Sequence, residues 1–492
     1  MHVDGNRVNN KSFALALQSS GYATALFGKY LNNWPMRQYV PLGFDAFLGN
    51  GGGHYLGAPF AAKGMGWYGI NNGMWTARHD EYTTSIVGNA TAAWVRRMVT
   101  EEQDKPFFAM MAPKAPHEPF VPASWYADTW EASWPSHEPR PPAWNATAET
   151  RGLRHGNLRT QHPMSPAASS VVTGVFRNRW RTLMSVDDAV DAVLAACGDT
   201  LERTFVIFTS DHGFSLGEFG LLMDKRHVYD FDTRVPFLVR GPGILPRSVL
   251  EQPATHVDLA PTILDMAGVN ANDHHTSVGG ALATMDGRSL LPLLIGDMSD
   301  HNLGSGLKSR LAALGGNAVA YAATWRHAVL IEHLFHTANI KCVQSCTFEE
   351  GLVSQRGNYP QTDVWCADVR ALTTCWGTSG ADPEWQRPMC EGDCYPTEDE
   401  ANNFAALRHV GTSPLGEGGS LYAEFHTGDP STVDINYRAR PDSVELYDGR
   451  DTWQMTNLLD EKLGDRARVG FAAERLAAML KSWVVCEGRQ CP

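Results

Sequence analysis

The strongest constraint on the fold is an alternation. Over residues 11–305, segments with helical spacing trade places with short segments that are apolar throughout. Ser12 to Gln18 has helical spacing and closes on Ser19-Ser20-Gly21, and Tyr22 to Phe27 follows as a strand. Glu81 to Val99 is amphipathic, and Pro106 to Ala112 (PFFAMMA) is continuously apolar. Leu183, Val186, Val190, Val193 and Cys197 share one face of a helix predicted over Arg179 to Cys197. Thr204 to Thr209 (TFVIFT) and Phe237 to Arg240 read as further strands, and His256 to Met266 as a helix. Strands without a polar face, interleaved with amphipathic helices, predict an α/β fold: a mostly parallel sheet flanked by helices on both faces.

After about residue 305 the pattern changes. Ala328 to Ile331, Leu421 to Phe425 and Val444 to Tyr447 are strand-like, with intervening stretches rich in Cys, Gly, Pro and Asp. A final helix is predicted over Arg466 to Trp483. We therefore expect two domains, 1–305 and a smaller Cys-rich α+β unit with an antiparallel sheet over 306–492. Pro135 to Pro166, dense in Pro, His and Arg, reads as a long excursion outside the core.

A net charge of −13 argues against a nucleic-acid partner, which needs clustered Lys and Arg. It leaves an anionic substrate open, because a few basic side chains in a pocket outweigh the mean field. No apolar run is long enough for a transmembrane helix. Of nine cysteines, eight lie between Cys342 and Cys491, in the close pairs Cys342/Cys346, Cys366/Cys375, Cys390/Cys394 and Cys486/Cys491. Disulfides are the favoured reading; zinc is the rival, weakened by irregular spacers and the lack of a matching His pair. Cys197, on an apolar helix face, reads as a buried hydrophobe. Sequons at Asn10, Asn89 and Asn145 also suit a secretory protein. Yet Met1 is followed by His-Val-Asp-Gly-Asn-Arg, with no apolar leader. The expectation is that the start of the protein is missing.

In an open parallel sheet, chemistry gathers beyond the carboxyl ends of the strands. Gly28-Lys29 ends one strand, Pro116-His117 follows PFFAMMA, and Ser210-Asp211-His212-Gly213 follows TFVIFT. Asp224-Lys225-Arg226-His227 lies on the loop before Val235-Pro236. Singly, each has a bland reading: solvated lysines, a turn-capping histidine, an N-cap aspartate. Together, two lysines, a separate histidine and a carboxylate beside an imidazole suit metal-assisted attack on an anionic ester.

These segments resemble the sulfatase family. GYATALFGKYLNNW (21–34) is similar to its strand ending in Gly-Lys. FVIFTSDHG running to RGPG (205–243) is similar to its metal-binding block and the lysine region after it. MSVDDAVD (184–191), HVDLAPTILDMAG (256–268), MDGRSLLPLL (285–294) and VELYDGRDTWQMTNL (444–458) match as well. Within the family the resemblance is strongest to N-acetylglucosamine-6-sulfatases, then to heparan 6-O-sulfatases. It implies that Lys29 and Lys225 bind sulfate oxygens, that His117 contacts the ester and protonates the departing alcohol, and that Asp211 and His212 form half of a Ca2+ site. It also implies a secreted or lysosomal location and a substrate that is a sulfated glycan or aryl sulfate, with the 6-O-sulfate of N-acetylglucosamine first. The family's second histidine falls on Leu31, with Asn32 or Asn33 as possible substitutes.

The resemblance further implies a formylglycine, made within Cys-x-Pro-x-Arg, and two more calcium aspartates, all upstream of these blocks. Cys366-Ala-Asp-Val-Arg370 imitates the motif but has Asp in place of Pro, and a structural cysteine is the better reading. The chain as given is therefore expected to be inactive. Two other readings stay open: a phosphodiesterase or phosphonate hydrolase of the same superfamily, and a non-catalytic sulfatase-like binding protein.

Overall fold

The computed structural model describes residues 12–32, 34, 36–37, 39–52, 54–129, 133, 138–159, 164, 166–221, 223–269, 285–295, 308–309, 312, 318–334, 341–343, 395–398, 400–426, 436, 439–460, 466–486 and 491. Helix α1 (Phe13–Ser19) starts where the Ser12 hydroxyl accepts from Leu15 N at 3.2 Å and turns into the next strand at Gly21, φ +90°. Strand β1 (Ala23–Lys29) is buried along its whole length except at Lys29. It pairs in parallel with β2 (Ala46–Asn50) on one side and with β5 (Phe107–Ala112) on the other. Two further strands, β3 (Pro59–Lys63) and β4 (Gly73–Thr76), extend the β2 side antiparallel, giving the order β4-β3-β2-β1-β5.

Helices cover both faces, as the apolar strands require. On one face α2 (Thr83–Glu101) sets Val87, Trp94, Val95 and Met98 against Phe27 and Leu48. Behind it lies α5 (Pro166–Cys197), packed so closely that a Cβ on Gly88 would stand 2.5 Å from Ala189 Cβ. Cys197 is buried in that core and unpaired. On the other face Ala16 and Leu17 of α1 meet Leu264 of α6 (Leu259–Met266) and Phe108. Strands β6 (Val206–Thr209) and β7 (Phe237–Arg240) form a separate antiparallel pair. No described helix is long and apolar enough to cross a membrane.

The C-terminal region holds a four-stranded antiparallel sheet. Its order is β11 (Ser443–Asp448), β10 (Ser420–Phe425), β9 (Phe404–His409) and β8 (Ala328–His333). Period-two alternation sorts its side chains. Ala405, Leu407, Tyr422 and Leu446 face α7 (Arg466–Trp483) through Leu476 and Leu480. Phe404, Ala406, Phe425 and Tyr447 face the other way, onto Ala143, Leu158, Phe219 and Tyr229. One core thus joins residues on either side of position 305.

That core corrects one expectation. The segment 135–166 is not an excursion outside the core: it carries two short helices, α3 (Ala148–Gly152) and α4 (Gly156–Arg159), and buries Arg151, Arg154, His155 and Leu158. Its charged residues go inside because they are paired there. Arg154 donates to Tyr447 Oη at 2.7 Å and lies 3.6 Å over the Phe219 ring, while Glu445 accepts from the His155 backbone N at 2.6 Å. Cys486 and Cys491 are disulfide-bonded. The sequon Asn10, Asn33, and the motif imitation at Cys366–Arg370 lie outside the described residues.

Candidate active site

Each candidate side chain sits where a strand or its following loop ends. Lys29 is the last residue of β1, opposite Asn50 in register. The glycine before it is obligatory: at Gly28, φ +110°, a Cβ would stand 2.0 Å from Ala112 O. Only glycine lets β5 close on β1 at that rung. Gly52, φ +89°, lies beside the Lys29 stem, whose Cε is 3.6 Å from where a Cβ would be.

Beyond β5 the chain turns through Lys114 and Pro116 to His117. His117 N donates to Lys114 O at 2.9 Å, and Tyr55 Oη donates to His117 O at 2.7 Å. Arg179 stacks on Phe214 at 4.1 Å and donates to Pro116 O at 3.2 Å. His117 Nδ1 lies 2.9 Å from Glu118 O. A carbonyl only accepts, so Nδ1 carries the proton and Nε2 presents a lone pair. That lone pair faces Lys225 Nζ at 3.4 Å.

Lys225 sits on a loop between two residues in the left-handed region, Asp224 at φ 118° and Arg226 at φ 97°. Asp224 makes ion pairs with both neighbours, reaching Lys225 Nζ at 3.7 Å. Burial lowers the Lys225 pKa; Asp224 opposes the shift, while Arg226 and Lys29 add to it. Burial is also the largest cause holding the His117 pKa down, to about 4; the Glu118 hydrogen bond opposes it, and Lys225, Lys114 and Lys29 push the same way. At neutral pH the site is therefore an uncharged imidazole among amines.

Asp211 and His212 follow β6. The Asp211 side chain is 73% exposed, with Oδ2 at 3.4 Å from His212 Nε2. His212 Nδ1 donates to Gly213 O at 2.7 Å, and burial is the first cause lowering its pKa, with Lys225 and Lys29 adding to it. Ser210 O is 2.8 Å from His256 Nε2, tying the end of β6 to the start of the α6 region. Lys29 and Lys225 thus act electrostatically on both His117 and His212, and Asp211 acts on His212 and Lys225.

Sequence reasoning missed Lys114, which is only 8% exposed and lies 5.2 Å over the Tyr55 ring. Its signal was present: it follows the same strand end as His117. Leu31 and Asn32 are exposed beyond Lys29.

The sulfatase family profile matches residues 2–269, more than half of the chain. The chain belongs to the sulfatase family. It is 34% identical over 290 residues to the extracellular sulfatase SULF-1 homolog of Drosophila melanogaster, covering 58% of this chain and 24% of that one. To the N-acetylglucosamine-6-sulfatase of Homo sapiens it is 30% identical over 403 residues, covering 80% of this chain and 63% of the relative. It thus spans less than two thirds of the length of these curated relatives. Among solved structures, a protein in complex with its substrate D-glucosamine-2-N,6-O-disulfate shares the fold, with TM-score 0.56 at 18% identity over 96% of this chain and 83% of that one.

Sulfatases generally bind Ca2+ and use a formylglycine. Among the described residues, Asp211 and His212 do not by themselves make up a calcium site. Among the described residues no group of three or more His, Cys, Asp or Glu converges. Asp211 brings one carboxylate and His212 a nitrogen, whereas Ca2+ takes 6–8 oxygens.

Proposed function

We propose that this site binds a sulfate ester, with Lys29 and Lys225 on the sulfate oxygens and His117 at the ester oxygen. The observation that carries the reading is the 3.4 Å approach of Lys225 Nζ to an imidazole lone pair that burial first, and then the nearby lysines, keep unprotonated. Such a site is electrostatically unsatisfied until an anion enters. A sulfate placed there screens the amines from one another and favours protonation of Nε2. His117 then holds a proton at the atom facing the bridging oxygen, ready to pass it to a departing alcohol. Lys114, beneath Tyr55, adds a further positive charge to the same field.

The substrate class follows the relatives: the 6-O-sulfate of N-acetylglucosamine in a glycosaminoglycan, in a protein of the secretory pathway. The name of the human relative, the extracellular designation of the Drosophila one and the Cys486–Cys491 disulfide support this reading. In the same reading Asp211 and His212 contribute part of a metal site, and 1–305 and 306–492 are two units packed through a common core.

We further propose that these 492 residues bind but do not turn over, because they contain no Cys-x-Pro-x-Arg. Calorimetry tests the binding half: N-acetylglucosamine 6-sulfate should bind, the unsulfated sugar should not, and Lys225→Met should abolish the difference. Equal heats for the two sugars would refute it. An aryl sulfate assay with added calcium tests the rest; turnover that disappears in His117→Ala would show that the chain is catalytic after all.

A further inference from the structure

The loop that presents Lys225 is held from outside its own sheet. On the near side, Ser215 N donates to Asp224 O at 2.7 Å and His227 N donates to Asp232 Oδ2 at 2.8 Å. On the far side four residues of the C-terminal region hydrogen-bond to it. The fully buried Asn402, just before β9, donates from Nδ2 to Arg226 O at 3.0 Å. Arg408 on β9 grips Asp230 with two bonds, 2.9 and 2.8 Å. Tyr229 Oη donates to Glu445 Oε2 at 2.8 Å, and Asp230 N donates to Gln454 Oε1 at 3.3 Å.

We propose that Asn402 and Arg408 are positioning residues for Lys225, holding from the C-terminal sheet the strained turn that sets its ammonium against His117. Left-handed backbone at two non-glycine residues persists only where surrounding contacts over-determine it. Asp224 and Arg226 flank Lys225 in that conformation, so relaxing either one re-aims the lysine. The Asn402 bond falls on the carbonyl of one of them. The Arg408 fork is bidentate and therefore fixes orientation as well as distance. The C-terminal region thereby enters the site without lending it a side chain.

The proposal rests on the anion-site reading only for its functional consequence, and the test separates the two. The ring Cε1–H signal of His117, assigned by its loss in His117→Gln, reports the Lys225 position at pH 7 without any ligand. Inorganic sulfate titration reports the consequence. Asn402→Ala and Arg408→Lys should each move the His117 signal toward its position in Lys225→Met and weaken sulfate about tenfold, the scale of one lost charge-orienting hydrogen bond. Leu446→Ala, which loosens the same sheet on its α7 face, should lower the melting temperature and leave the His117 signal in place. Arg408→Lys keeps the charge and serves if Asn402→Ala does not fold. The proposal is overturned if both variants keep the wild-type His117 signal, or if Lys225→Met does not move it. If the signal moves but sulfate binds wild type and Lys225→Met alike, the positioning stands and the anion reading falls.

Discussion

His117 shows how burial and charge divide the work on one side chain. Burial is the largest cause of its low pKa, so removing one amine should restore only part of the ordinary value near 6.5. We expect the NMR titration midpoint of His117 to rise in Lys225→Met and to remain below that value; no rise would mean that the two groups do not face one another in solution. The sequons differ at the same scale. Asn89 is exposed on α2, whereas Asn145 holds the Met164 backbone, accepting from its N at 2.8 Å, and sits at φ 43°. Expressed through a secretory pathway, the chain should carry glycan on Asn89 and not on Asn145, as peptide mass mapping would show; occupancy at Asn145 would contradict this. Lys29, His117, Asp211 and Lys225 were legible because each is a polar residue just beyond an apolar strand or on the loop after one. Lys114 was not, because nothing local says that a lysine between Pro113 and Ala115 is roofed by Tyr55, 59 positions earlier in the chain.

Among the elements, one close contact is the last rung of β1 and β5. Gly28→Ala would drive a Cβ into Ala112 O and impose φ +110° on an alanine. We expect a loss of more than about 2 kcal/mol in urea denaturation, together with displacement of Lys29; a neutral effect would mean that the rung is open. Strands and helices with their own apolar signal were legible: β7 and α7 fall where periodicity puts them. Others depend on partners far away in sequence. Strand β9 (FAALRH) has little β-branched content and is fixed by its ladders to β8 and β10. The short β2, β3 and β4 are rich in Ala and Gly and become strands by adding one after another outward from β1. The helices within 135–166 were obscured because Arg154 and His155 look like surface residues until Tyr447, Gln454 and Glu445 are placed beside them.

Across the whole molecule, two sheet edges stand apart. Among the described residues β5 pairs only with β1 and β6 only with β7, and Met110, Phe208 and Leu238 are exposed on them. Exposed apolar edges recruit other strands. The chain expressed alone should therefore self-associate as concentration rises in sedimentation velocity, and Phe208→Lys with Leu238→Lys should suppress this; a monomer at all concentrations would contradict it. Stability should also depend on pH. His117 and His409 both have pKa values lowered to about 4, chiefly by burial, so the folded state holds them neutral. Their contribution is complete above about 6.5 and is lost as pH falls from there toward 4, because unfolding then takes up protons. Urea midpoints should decline over that window, less steeply in His409→Phe. The proposed function requires that the space between Lys225 and His117 hold a sulfate. The most direct measurement is the NMR titration of His117 with and without saturating inorganic sulfate. Sulfate should raise the midpoint from about 4 toward the ordinary histidine value in the wild type and leave it unmoved in Lys225→Met. An unchanged midpoint in the wild type would contradict the account.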